Sequence, residues 1–156
     1  MSAPKGLIIF AGILTILGSF VFSWMNLGGG YVNGLGAVGR FTSFLSDLSL
    51  SGIINLLIVI IFLLSSIFIF IGIKSRALSI IGSILPIFIG LMWLLYYELG
   101  IISSTWFLNI IAIFSGDLII IQDILPMYLE FGGFAVGPIL LLFGGIFSFI
   151  SGCMDR

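Results

Sequence analysis

The residues that could do chemistry are few, and four acids carry most of the potential. They lie within residues 98–130, a segment without a cation, and are Glu98, Asp117, Asp123 and Glu130. Carboxylates brought together outside a membrane could raise one another's pKa or bind a cation such as Ca²⁺. The pattern therefore offers a cation or partner site, although acids on a water-facing surface also serve solubility alone.

Other catalytic and metal-binding groups are scarce. The chain has no histidine, and Cys153 is its single cysteine, so neither a Cys/His metal cluster nor an intrachain disulfide can form. General acid–base catalysis would fall to the acids, and no hydrolase motif is present. We therefore expect no enzyme, no catalytic residue, no metal and no cofactor.

Within the long apolar stretches, nearly all polar groups are hydroxyls. They belong to Thr15, Ser19, Ser23, Ser65, Ser66, Ser79, Ser83 and Ser148. Such hydroxyls can bond to carbonyls of their own helix and need no functional explanation. Ion pathways of pumps normally contain charged residues in mid-span, and the apolar stretches here contain none, which disfavours a pump. An oligomeric channel could instead use rings of serine hydroxyls and backbone carbonyls.

The segment Gly34–Gly39 matches the pattern G-x-G-x-x-G. A dinucleotide-binding fingerprint needs a strand before the pattern, a helix after it and an acid about 20 residues further on. Asn55 lies near that position, within an apolar stretch, and no βαβ unit fits. The glycines are expected instead to form a tight turn beside Trp24 and Tyr31.

Composition places the chain in a membrane. Its residues are 61% hydrophobic and 7% charged, and the mean hydropathy is +1.41. A soluble domain carries about 25% charged residues, so the chain has too little polar surface for a soluble globule. The formal net charge of −1 argues against nucleic acid, which requires a basic face.

Four apolar stretches are long enough to span a bilayer as helices, at about residues 6–24, 53–73, 77–97 and 131–151. The middle two face each other across Lys74-Ser75-Arg76, and each helix would be about 31 Å long. A cleavable signal peptide competes for the first stretch, which exceeds the usual apolar region of about 7–15 residues. We predict an all-α integral membrane protein, a single domain built as a four-transmembrane-helix bundle.

Charge predicts the orientation of this bundle. With both termini cytoplasmic, four of the five cations lie inside, namely Lys5, Lys74, Arg76 and Arg156. Only Arg40 then lies outside, in accord with the positive-inside rule. Residues 25–52 and 98–130 become two long, apolar extracytoplasmic segments.

The two outer segments carry different predictions. Apolar side chains three and four residues apart predict a short amphipathic helix over residues 40–50. Residues 98–130 allow a cap of short helices, a re-entrant hairpin turning at residues 115–117, or a fifth span over about residues 105–121. The fifth span would bury Asp117 at a cost of about 2.5–3.5 kcal/mol, so the cap is favoured.

Small residues recur on the third and fourth predicted spans. They are Ser79, Gly82, Ser83, Pro86 and Gly90, followed by Gly133, Gly137 and Gly144. In lipid, such faces let helix backbones approach closely, so we predict helix-packing positions. Pro86 should kink its helix and free the Gly82 carbonyl, as a packing feature in preference to a hinge or ligand site.

The layout of four spans and two outer segments resembles that of claudins and tetraspanins. The resemblance is one of plan alone. Those families carry paired cysteines in their outer loops, and the corresponding segments here contain no cysteine.

These features favour a non-enzymatic accessory, scaffold or assembly subunit, a multi-pass protein of the cell membrane. The outer segments are too apolar to be solvated loops, so they must pack on each other or on a partner. The expected partners are membrane lipids and other chains, in a homo-oligomer or a larger membrane complex, and not nucleic acid. The alternative is a small channel or transporter that works as an oligomer.

Overall fold

The computed structural model describes residues 3–25, 31–47, 49–102, 105–116 and 125–154. Its helices are α1 (Ala3–Ile16), α2 (Gly34–Gly39), α3 (Phe41–Ser46), α4 (Leu50–Ile71), α5 (Arg76–Trp93), α6 (Thr105–Phe114) and α7 (Val136–Cys153). Turns of π-helix continue α1 through Leu17–Val21 and α5 through Leu94–Glu98. The described strands are β1 (Tyr31–Val32), β2 (Ser115–Gly116), β3 (Glu130–Phe131) and β4 (Phe134–Ala135).

Four helices are long and apolar enough to cross a membrane. They cover Pro4–Val21, Leu50–Ile71, Arg76–Glu98 and Val136–Cys153. Large apolar side chains along them, such as Phe10, Ile61 and Phe143, are exposed, as expected of a surface that faces lipid. The prediction of an all-α protein with four such helices is confirmed, and the chain is a multi-pass membrane protein.

Helix α7 lies between α1 and α5 and contacts both closely. A Cβ added to Gly144 would lie 2.5 Å from the Thr15 hydroxyl oxygen of α1. A Cβ added to Gly145 would lie 3.0 Å from the Ile87 backbone nitrogen of α5. In lipid the hydrophobic effect does not drive helices together, so close backbone packing of this kind stabilises the bundle.

One end of the bundle contains the α4–α5 turn with Lys74, and we call it the Lys74 end; the opposite end is the Glu98 end. The Ser151 hydroxyl, near the end of α7, donates to the Pro4 carbonyl at the start of α1 at 2.6 Å. Gly152 lies against the first turns of α5. The start of α1, the end of α7 and the α4–α5 turn therefore lie together.

An aromatic core joins the helices at the Glu98 end. The Trp24 ring lies 5.8 Å from the rings of Phe62 and Trp93, between centroids. It lies 5.1 Å from the ring of Phe114. The Trp24 indole also donates to the Gly18 carbonyl at 2.8 Å, so its polar atom is paired within the core.

Short ladders tie the connecting segments together. In the antiparallel β1–β2 pair, Tyr31 lies opposite Gly116. The Ser23 amide donates to the Met127 carbonyl at 2.8 Å, and the Met127 amide donates to the Val21 carbonyl at 3.0 Å. The apolar connecting segments thus pack on each other, one of the two arrangements expected for them.

Helix α7 begins five residues later than the stretch predicted to span as residues 131–151. Strands β3 and β4 form an antiparallel hairpin that occupies residues 130–135. Its turn places Gly132 and Gly133 at φ +62° and +85°, which a right-handed helix cannot contain. Helix α4 begins earlier than predicted because the Ser49 hydroxyl caps it by accepting the Gly52 amide at 3.1 Å.

The predicted amphipathic helix over residues 40–50 is present as the shorter α3. Phe41 and Phe44 pack against the core. The helix ends at Ser46, and the extended Asp47 accepts the Ser49 amide at 3.0 Å. Hydrogen bonds from the Ser49 side chain and backbone lower the pKa of Asp47, because they favour its charged form.

Helix α6 excludes one of the three structures considered for residues 98–130, the fifth span. It has ten residues and is about 15 Å long, half the thickness of a hydrocarbon core. At Phe114 it gives way to β2, so residues 105–121 do not form one spanning helix. Its buried face packs against the aromatic core, as a layer of short elements would. Asp117, at the predicted re-entrant turn, lies outside the described residues.

Candidate functional site

Seven of the eight predicted helix-packing residues are buried inside the chain. They are Ser79, Gly82, Ser83, Pro86, Gly90, Gly137 and Gly144. The eighth, Gly133, lies exposed in the β3–β4 turn. The seven buried residues bring helices of one chain together, so they present no free face to a second chain.

The glycines of α5 mark two different interfaces. A Cβ added to Gly82 would lie 2.9 Å from the Ser65 carbonyl oxygen of α4. A Cβ added to Gly90 would lie 2.8 Å from the Pro138 carbonyl oxygen of α7. Because the atoms met are backbone atoms, a side chain could enter only if the helices moved apart.

A pair of buried serines bridges α5 and α7. The Ser79 hydroxyl donates to the Ser148 carbonyl at 2.8 Å, and the Ser148 hydroxyl donates to the Ser79 carbonyl at 2.9 Å. Thr15, Ser65 and Ser83 instead bond to carbonyls of their own helices. These five hydroxyls therefore serve structure in two ways, of which the sequence predicted only the second. The hydroxyls of Ser19 and Ser66 are buried without a hydrogen-bond partner among the described residues.

Glu98 lies at the N-terminal end of α7. Its Oε1 accepts the Ala135 amide at 2.9 Å, and Ala135 immediately precedes the helix. The first amides of a helix have no partner within the helix, and its N-terminus carries a partial positive charge. The carboxylate of α5 thus caps α7 across the bundle, a structural role for this predicted site residue.

Glu130 lies close to Glu98 but bonds to a tyrosine. The Tyr128 hydroxyl donates to Glu130 Oε1. Burial raises the pKa of Tyr128 to about 12, together with the hydrogen bond to Glu130 and the negative charges of Glu130 and Glu98. The two acids therefore face one phenol at the start of α7.

The four predicted acids have separate outcomes. The structure brings Glu98 and Glu130 together, while Asp117 and Asp123 lie outside the described residues. Within the described part of the chain, no three His, Cys, Asp or Glu residues are placed to hold a metal ion. The arrangement observed around Glu98 is a helix cap beside a carboxylate–phenol hydrogen bond.

We expect the Glu130→Gln variant to lower the pKa of Tyr128 from about 12 towards its ordinary value of 10.0, because the variant removes a negative charge. In the wild type the raised pKa of Tyr128 contributes to the stability of the folded state. This contribution is complete below about pH 10 and is lost as the pH rises through about 12. Ultraviolet titration of phenolate formation measures the shift, with Tyr128→Phe identifying this group among the four tyrosines. Equal titration of wild type and variant would contradict the prediction.

The glycine pattern at residues 34–39 forms the short helix α2, so the tight turn predicted for these glycines is wrong. The Asn33 side chain caps this helix by accepting the amides of Leu35 and Gly36 at 3.0 and 3.1 Å. Gly36 lies directly against the Phe114 carbonyl, where a side chain would not fit. The pattern therefore serves a close contact between α2 and the end of α6.

An open groove of about 350 Å³ at the Glu98 end was missed by sequence reasoning. It lies between α4, α6 and the α2–α3 corner, and we call it the Arg40 groove; it is lined by Arg40, Phe44, Ser51, Asn55, Asn109, Ala112 and Ile113. The Arg40 Nη1 donates to the Ala112 carbonyl at 2.5 Å. Ala112 lies in the last turn of α6, where a cation complements the helix dipole.

The sequence contained one signal for this groove, a carboxamide at Asn55 within an apolar span. Its neighbours across the groove are remote in sequence, so spacing could not indicate them.

Comparison with protein-family models, curated protein sequences and solved structures finds no match to the chain.

Proposed function

We propose that the protein is a non-enzymatic accessory, scaffold or assembly subunit of the cell membrane. In this proposal the Lys74 end is cytoplasmic and the Glu98 end extracytoplasmic. The cations Lys5, Lys74 and Arg76 support this orientation, since cytoplasmic flanks of spans are rich in Lys and Arg.

One observation carries the proposal, an apolar surface around the β3–β4 hairpin. Phe131 of β3 is 81% exposed, and the preceding Leu129 is 47% exposed. Leu99 and Ile101, which follow α5, are also exposed at this end. The bond from the Ala135 amide to Glu98 holds the two segments side by side. We call Leu99, Ile101, Leu129 and Phe131 the hairpin surface.

The hairpin surface suits contact with a second membrane protein or a second copy. Exposed apolar side chains gathered at one end of a protein favour association. The helical small-residue faces are less suited, because they already pack α5 and α7 within the chain. The proposed contact is therefore the hairpin, reached from the extracytoplasmic side.

The geometry supports a role without catalysis. Glu98 is bonded to the α7 amide end and Glu130 to Tyr128, so these acids already have partners. The alternative of an oligomeric channel or transporter has less support, since the span hydroxyls of Thr15, Ser65 and Ser83 bond to their own helices.

The test is extraction of the wild type in native lipid, followed by measurement of particle mass and of co-purifying chains. We expect a stoichiometric partner or a defined oligomer, and we expect Phe131→Ser to release it. Trp106→Ser is the matched control, because Trp106 of α6 is a 57% exposed aromatic residue outside the hairpin surface. A particle of single-chain mass without a partner would refute the proposal, and ion flux in liposomes altered by Glu98→Gln would favour the channel instead.

A further inference from the structure

We propose that the Arg40 groove binds the headgroup of an anionic glycerophospholipid. The inference does not depend on the proposed assembly role, because it concerns a different face of the Glu98 end. It rests on the charge of the groove, on two carboxamides without a hydrogen-bond partner among the described residues, and on the position of the groove near the end of a span.

The charge of the groove has one sign. Among the described residues that line it, there is one cation, Arg40, and no carboxylate. A guanidinium has five N–H donors, and the structure pairs one Arg40 side-chain nitrogen, Nη1, with the Ala112 carbonyl. Further donors of the same fork can therefore meet a phosphate, the geometry that arginine favours.

Two carboxamides face the same groove from opposite helices. Asn55 belongs to α4 and Asn109 to α6. Within the described residues, neither side chain has a hydrogen-bond partner of its own. Acyl chains cannot hydrogen-bond to a carboxamide at the lipid-facing mouth of the groove, whereas hydroxyl and ester oxygens of a lipid headgroup can.

The groove lies near one end of a span, where a headgroup and the adjoining part of its acyl chains can both be reached. Asn55 is five residues into α4, so it lies about 7.5 Å along the helix from its start at Leu50. Its neighbours Ile54 and Leu57 are exposed apolar side chains that suit contact with acyl chains. Phe44 and Ile113 add an apolar wall to the groove itself.

These features select an anionic lipid over other ligands. The ammonium group of a zwitterionic headgroup would find no acid among the described residues of the lining. An anionic headgroup brings only its phosphate, which pairs with Arg40. A soluble phosphate would not use the apolar wall or the lipid-facing side chains beside Asn55. The occupant is therefore a phospholipid whose headgroup carries hydroxyls, of the phosphatidylglycerol type.

The test is native mass spectrometry of the purified full chain from mixed micelles with either phosphatidylglycerol or phosphatidylcholine of identical acyl chains. We expect phosphatidylglycerol to be retained preferentially and Arg40→Gln to weaken its binding about tenfold or more, as loss of a charge-assisted hydrogen bond would. Lys74→Gln is the matched control, since it removes a cation at the opposite end. Equal retention of the two lipids by the wild type would overturn the proposal.

A second variant avoids the contribution of Arg40 to the end of α6. Asn109→Ala should weaken phosphatidylglycerol binding several-fold, about what a neutral hydrogen bond provides, while leaving the fold intact because Asn109 is exposed. Unchanged binding in both variants would place the lipid elsewhere. Competition by soluble glycerol phosphate at equal concentration would identify the ligand as a free phosphate and overturn the lipid assignment.

Discussion

Replacing Trp24 by alanine is expected to lower the free energy of unfolding by about 3–5 kcal/mol, the range for removal of a large aromatic side chain from a packed core. Trp24 is 1% exposed and contacts the rings of Phe62, Trp93 and Phe114. The substitution would leave a cavity among them and would remove the donor to the Gly18 carbonyl. Unfolding by SDS in mixed micelles, followed by circular dichroism, measures the change.

Two variants make this test specific. Trp106→Ala is the matched control, because Trp106 is 57% exposed and has one ring contact, with Phe88, among the described residues, so the same substitution removes less packing there. Trp24→Phe keeps an aromatic ring but loses the indole N–H, so it should cost about 1–3 kcal/mol through the unpaired carbonyl and the smaller ring. Equal stability of Trp24→Ala and Trp106→Ala would show that the aromatic core does not hold the Glu98 end together.

Gly144→Leu is expected to destabilise the chain by about 3 kcal/mol, at the upper end of the usual cost of overpacking. Even a Cβ at this position would lie 2.5 Å from the Thr15 hydroxyl oxygen and 2.9 Å from the Ala11 carbonyl oxygen. The carbonyl belongs to the backbone of α1, so relief requires α1 to move away from α7. The same SDS unfolding experiment measures the loss.

The neighbouring residue provides the control for Gly144→Leu. Phe143 is 48% exposed towards lipid, and Phe143→Leu should change the stability by less than about 0.5 kcal/mol. Wild-type stability of Gly144→Leu combined with a smaller particle mass would mean that this glycine packs against another chain. Loss of stability at unchanged particle mass would support its role in packing α7 on α1.

The substitutions at Gly144 and Trp24 test different parts of the bundle. Gly144 packs α7 on α1 within the spans, whereas Trp24 joins α4, α5 and α6 at the Glu98 end. The hairpin surface and the Arg40 groove both lie at that end. Variants of Phe131 and Asn109 are therefore best compared with the wild type after the core around Trp24 has been shown to be intact.

Several features of this protein follow from the sequence by itself. An uncharged apolar stretch of about 20 residues has one stable structure in lipid, a helix that pairs its own backbone groups. Four such stretches predicted the four long helices now observed. The short connection around Lys74, predicted as three residues and observed as residues 72–75, likewise required α4 and α5 to run antiparallel, because so few residues allow no other connection.

The tertiary structure alone decided where the scarce polar groups go. Glu98 caps α7 and Arg40 complements the end of α6, and in each case the partner lies tens of residues away in the chain. The sequence predicted seven buried small residues as helix-packing positions, without indicating which helices they bring together. The structure places all seven at interfaces within one chain. The physical reason is the range of the interactions. Span formation depends on local composition, whereas capping, close packing and the Arg40 groove depend on which helices meet, and residue spacing carries no information on that.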